Sequence, residues 1–154
     1  MEKIASFQID HTILTPGMYV SRVDGDITTY DLRFCHPNDE PPMEIDSMHT
    51  IEHLAATYLR SSRWGNEVIY FGPMGCRTGF YLLLRSDDRA EALQAVQKTF
   101  QWIADYAGEI PGASEAECGN FRSHNLELAR QDAANYAKVL RSWSLDKMIY
   151  PQNK

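Results

Sequence analysis

Apolar and polar positions along this chain of 154 residues alternate with two different periods. Met18 to Val23 and Ile27 to Cys35 alternate every second residue and carry β-branched and aromatic side chains, the mark of strands with one buried face. Asp24-Gly25-Asp26 between them predicts a hairpin turn. Phe7 to His11 alternates weakly, and Pro16-Gly17 marks a turn. A proline-rich loop, His36 to Met43, then leads into a different rhythm. Met48, Ile51, Leu54, Ala55, Tyr58 and Leu59 keep helical spacing, and Asp46 and Ser47 are suited to cap that helix, which is expected to run to about Arg63 before Gly65-Asn66. Glu67 to Phe71 and Phe80 to Arg85 predict two further strands, separated by the irregular stretch Gly72 to Gly79.

Asp87 or Asp88 opens a second helix, Arg89 to Ala107, with its apolar stripe on Leu93, Val96, Phe100, Ile103 and Ala107. Gly108 to Gly112 ends it. Ser114 and Glu117 have capping-box spacing and predict another helix start. A last helix covers about Asn125 to Ser142, and the tail from about residue 145 to 154 is expected to be mobile. Strands followed by strands mixed with helices give an α+β fold: a single domain, residues 1–154, with an antiparallel sheet covered by helices.

Composition narrows the function. Hydrophobic residues make up 44% and charged residues 23%, as in ordinary globular proteins, and the net charge of −6 argues against a nucleic-acid partner. The longest apolar run, Phe80 to Leu84, is too short to cross a bilayer, and the first residues lack a secretory h-region. Three widely spaced cysteines, Cys35, Cys76 and Cys118, then suit thiols or metal ligands better than a disulfide framework. These features place the expected protein in the cytoplasm, away from membranes.

The candidate chemistry centres on His49-Thr50-Ile51-Glu52-His53. His49 and His53 are one helical turn apart, so both imidazoles leave one face and can share a metal ion, with Glu52 beside them as acid or base. The plain alternative is a solvated polar face. A metal that does chemistry needs a third ligand and one open position, and Cys118, followed by Gly119 near the expected helix start, is the best candidate. Cys76 lies among small residues in Pro73-Met74-Gly75-Cys76-Arg77-Thr78-Gly79, where Arg77 either assists the thiol or points away. Otherwise Cys118 and Cys76 are inert buried cysteines. His11 and Arg33 are polar residues in segments that look structural. His36 is not paired with Cys35, since neighbouring side chains on a strand point apart. His124 is assigned to packing.

Together these segments resemble the S-ribosylhomocysteine lyase (LuxS) family. The resemblance is carried by Ser6-Phe7-Gln8-Ile9-Asp10-His11, Asp31-Leu32-Arg33-Phe34-Cys35, the His49–His53 motif, Pro73 to Tyr81, Cys118-Gly119 and His124-Asn125-Leu126-Glu127, in order over about the first 130 residues. It implies an α/β sandwich in which His49, His53 and Cys118 hold Fe²⁺, replaceable by Zn²⁺ or Co²⁺, with water at the fourth position. It implies Cys76 and Glu52 as the acid/base pair. Ser6, His11 and Arg33 would line a substrate site completed by the second subunit of a homodimer. The implied reaction shifts the carbonyl of S-ribosylhomocysteine twice, then expels homocysteine by β-elimination, leaving 4,5-dihydroxy-2,3-pentanedione, the autoinducer-2 precursor. Tyr70 and Gly72 stand where many relatives carry an acidic residue and a serine, so the grip on the homocysteine end is expected to differ. Two rival readings are a zinc peptidase, from the HxxEH motif, and a non-catalytic metal-binding module with Cys35 or His124 closing a four-ligand site.

Overall fold

The computed structural model describes residues 1–152. The hairpin forms as the alternation predicts: β1 (Gly17–Asp24) and β2 (Ile27–Arg33) pair antiparallel through a tight turn at Gly25, whose φ of 61° falls in the left-handed region. β3 (Val68–Pro73) and β4 (Gly79–Leu84) form a second antiparallel pair, and β4 joins β2. The result is a four-stranded antiparallel sheet in the order β1-β2-β4-β3. The close approach of β4 to β2 requires Gly79, where a Cβ would stand 2.1 Å from the Leu32 carbonyl oxygen.

Three helices, α1 (Ile45–Ser61), α2 (Arg89–Ala104) and α3 (Leu126–Arg141), complete the α+β fold. Period-2 alternation assigns Met18, Tyr30, Leu32, Phe80, Leu82 and Leu84 to one sheet face, and these share a core with Ile51, Leu54, Phe100, Ile103, Ala133 and Leu140 of the helices. The opposite face carries a polar layer. Asp31 and Arg33, both essentially inaccessible, form an ion pair at 2.6 Å, and the Tyr150 hydroxyl donates to Asp31 at 2.7 Å. The C-terminal segment reaches this layer through a 3₁₀ turn, Leu145–Met148, that buries Met148; Tyr150 then stacks on Tyr19. The last two residues of the tail expected from 145 to 154 lie outside the described residues.

The second helix ends at Ala104, short of the expected Ala107, and two expected helix starts depart from the sequence reading for identifiable reasons. α1 begins at Ile45 with Glu44 at its N-cap, and no side chain caps it. Asp46 and Ser47 instead serve tertiary contacts: Asp46 accepts from the Ser123 hydroxyl, and Ser47 donates to Asp132 of α3 at 2.5 Å. Ser114 to Glu117 does not open a helix. Ser114 Oγ donates to Glu117 at 2.7 Å and its carbonyl accepts from Cys118 N–H at 3.0 Å, but the turn stops there. Gly119 and Asn120 follow, leaving no apolar face to bury.

Candidate metal centre

The spacing of His49 and His53 on α1 puts both rings on one side, with centroids 4.7 Å apart. Each is fixed by a backbone carbonyl. His49 Nδ1 lies 2.7 Å from the Ser123 oxygen and His53 Nδ1 lies 2.8 Å from the Pro111 oxygen. A carbonyl only accepts, so each ring carries its proton on Nδ1 and leaves Nε2 bare. The Pro111 loop closes on His53 because Gly112 takes a φ of 68°, and a Cβ there would stand 3.2 Å from the His53 ring.

Cys118 completes the expected trio, although no helix start lies beside it. Its sulfur is 3.4 Å from His49 Nε2 and 3.9 Å from His53 Nε2. A fourth side chain joins them. His124 Nε2 is 4.0 Å from the same sulfur, its ring stacks on His49 at 4.0 Å, and all four donor atoms lie within 4.8 Å of one another. The sequence reading assigns His124 to packing and places it among the ligands only in the rival reading of a closed four-ligand module. Its only local signal was a position six residues after Cys118. Burial above all pushes the His124 imidazole down to about 4, and protonation of the neighbouring His49 or His53 would push it the same way. The donor set of two bare imidazole nitrogens and one thiol suits a divalent transition metal such as iron, zinc or cobalt. The tertiary cradle of carbonyls behind the rings is the usual second shell of such a site.

The remaining candidates fall into two further groups. Glu52 lies half-buried on α1 between the two histidines, and among the described residues its carboxylate makes no hydrogen bond or ion pair. Cys76 is exposed, in a turn closed by Arg77 N–H to the Met74 carbonyl at 3.0 Å. Arg77 points away from the thiol, donating to the Met43 carbonyl at 3.3 Å. The cation linked to Cys76 is Arg33, which donates to Thr78 Oγ1 at 2.8 Å, while the Cys76 sulfur sits 3.1 Å from that same hydroxyl. Burial opposes the Arg33 charge, but the Asp31 carboxylate outweighs it and holds the guanidinium charged. Ser6 lies in a 3₁₀ turn, Ala5–Phe7, and His11 Nδ1 donates to the Ile9 carbonyl at 2.9 Å. Among the described residues, no hydrogen bond or ring contact joins Ser6 or His11 to the four clustered side chains.

Comparison with known proteins bears directly on this geometry. The profile of the S-ribosylhomocysteinase (LuxS) family matches residues 4–147. The S-ribosylhomocysteine lyase of Finegoldia magna is 48% identical over 157 residues, covering 99% of this chain and 100% of the relative. That of Clostridium acetobutylicum is 46% identical over 158 residues, with the same coverage. The Desulfotalea psychrophila lyase is 48% identical, covering 98% of this chain and 99% of its own.

Proposed function

Since this chain belongs to the S-ribosylhomocysteinase (LuxS) family, we propose that its His49, His53 and Cys118 form the metal centre of a carbon–sulfur lyase acting on S-ribosylhomocysteine. The activity itself, release of homocysteine on the route to an autoinducer, follows from the family. The single observation that supports the site is the convergence of two carbonyl-anchored imidazoles and a distant thiol on one point. These three side chains would hold a divalent ion, Fe²⁺ in our reading, which would supply Lewis-acid stabilisation of negative charge on the sugar oxygens.

Cys76 is the base for the carbon-bound protons. Thr78 Oγ1 receives an Arg33 N–H, so its own proton is free to go to the Cys76 sulfur and hold the thiolate against a charged, buried relay. Glu52, with no competing partner, moves protons among the oxygens. With the carbonyl at C3, loss of the C4 proton expels homocysteine, and no net redox change requires an external electron carrier. Ser6, His11 and Arg33 line the substrate site, and since Thr78 ties Cys76 to Arg33 within one chain, the second copy of a homodimer that brings Arg33 to the metal centre brings Cys76 with it. The exposed apolar side chains of Ile4, Phe7, Ile45 and Tyr70 support this homodimer. Three free cysteines suit a reducing cytoplasm. A peptidase would use neither the second thiol nor its relay.

The test is thiol release from S-ribosylhomocysteine by anaerobically prepared, metal-analysed protein. Wild type should release homocysteine. Cys76→Ala and Glu52→Gln should keep metal and fold yet lose more than about 10²-fold in kcat. Metal-replete wild type that releases no thiol would overturn the assignment.

A further inference from the structure

The fourth member of the cluster is held differently from the other two histidines. His49 and His53 each turn Nδ1 to a backbone carbonyl, whereas His124 Nδ1 faces the Thr50 hydroxyl at 3.0 Å. Thr50 is completely buried on α1, and its oxygen already accepts the Asn125 N–H at 3.0 Å. A buried hydroxyl gives its proton to some acceptor. Among the described residues the only acceptor facing Thr50 Oγ1 is His124 Nδ1. Thr50 therefore donates and His124 Nδ1 accepts, which places the single proton of this neutral ring on Nε2.

We propose that His124 is the hydrogen-bond donor of the metal centre and not its fourth ligand. Its Nε2–H points toward the same volume as the bare Nε2 atoms of His49 and His53 and the Cys118 sulfur. A protonated nitrogen cannot ligate a cation, so the ligands this chain would offer are His49, His53 and Cys118. The N–H instead faces the volume those three donors share, where it would donate to a substrate oxygen and strengthen as that oxygen gains negative charge. His124 also borders a hollow of about 530 Å³ walled by Glu109, Phe121 and Leu126. Thr50 is the positioning residue: it fixes the tautomer through one hydroxyl, and the Asn125 N–H fixes the hydroxyl.

This inference rests on the metal-centre reading above, and the experiment separates the two. Long-range ¹H–¹⁵N NMR of the zinc-loaded holoenzyme should show His124 protonated on Nε2, and His49 and His53 protonated on Nδ1. His124→Gln and His124→Leu should bind zinc as tightly as wild type, whereas His49→Gln should not. The Leu variant should lose about 10²–10³-fold in kcat, as on removing one oxyanion-type donor, with Gln losing less. Thr50→Val should scramble the His124 tautomer and Thr50→Ser restore it. An Nδ1–H tautomer at His124 in wild type would overturn the proposal. So would zinc loss in His124→Gln equal to that of His49→Gln, or unchanged kcat in His124→Leu. If His49→Gln and Cys118→Ser both keep zinc, the metal-centre reading falls and this inference with it.

Discussion

Three cysteines of one chain meet three environments, and their chemistry diverges accordingly. Cys35 is buried, and that burial pushes its thiol up to about 11. Cys76 is exposed and bonded to Thr78, and Cys118 faces the His49 and His53 nitrogens. Since the thiolate is the nucleophile, iodoacetamide at about pH 8 should modify Cys76 first in metal-loaded protein. A chelator should then release Cys118 for a second equivalent, and Cys35 should react only on unfolding. Mass spectrometry of the labelled peptides checks the order. The relay makes a narrower prediction. Thr78→Val removes the hydroxyl that links Arg33 to the sulfur, so labelling of Cys76 and kcat should both fall, by about tenfold. Thr78→Ser should restore both. Loss of activity without slower labelling would place Thr78 outside the thiol's support.

At the scale of elements, the metal centre is assembled where the start of α3 meets the middle of α1. Asn125 caps α3 by accepting Leu128 N–H at 3.0 Å, and its own N–H anchors Thr50. Asn125→Ala should cost about 1 kcal/mol in a urea melt, with Asn125→Asp nearly neutral. The same junction shows what the sequence could reveal. The turn-spaced histidines of α1 and the alternation of β2 were legible because periodicity is a local property. So were the strands, since each buries the face its period defines. The place of His124 was not legible beyond its mention, beside Cys35, as a closing ligand in the rival reading of a metal-binding module. Its neighbours in the cluster are 6, 71 and 75 residues away in sequence, and only the packing of α3 on α1 unites them. The Ser114–Glu117 box misled for the converse reason. Its local hydrogen bond forms, but a cap without an apolar stripe behind it has no helix to stabilise. Asp46 and Ser47 likewise have the chemistry of caps and spend it on other elements.

Seen whole, the molecule has an apolar helical core on one side of its sheet and a layer of buried polar groups on the other, and tyrosines tie both together. Tyr136 donates from α3 to the Gly17 carbonyl at 2.8 Å, and Tyr150 donates from the C-terminal segment to Asp31. Burial raises the phenol pKa of Tyr19, Tyr30, Tyr81, Tyr136 and Tyr150, and the Asp31 charge adds to it at Tyr150. The sign follows from linkage. Below the unfolded value of about 10 both states hold these protons, and the tyrosines give no pH dependence. Above it the unfolded chain releases protons that the folded chain keeps, so stability falls, by up to about 1.4 kcal/mol per pH unit for each tyrosine. The tyrosine contribution to stability should therefore be level through neutral pH and drop steeply from about pH 10. Tyr150→Phe should cost about 1 kcal/mol at pH 7, where its hydrogen bond to Asp31 is lost. That deficit should shrink or reverse by about pH 11, because the variant has one fewer phenol to keep protonated. Urea melts of both proteins across this range check it. A deficit that stays constant to pH 11 would mean that Tyr150 titrates alike in the folded and unfolded chains. The C-terminal segment would then be no part of the layer that holds Asp31 against Arg33.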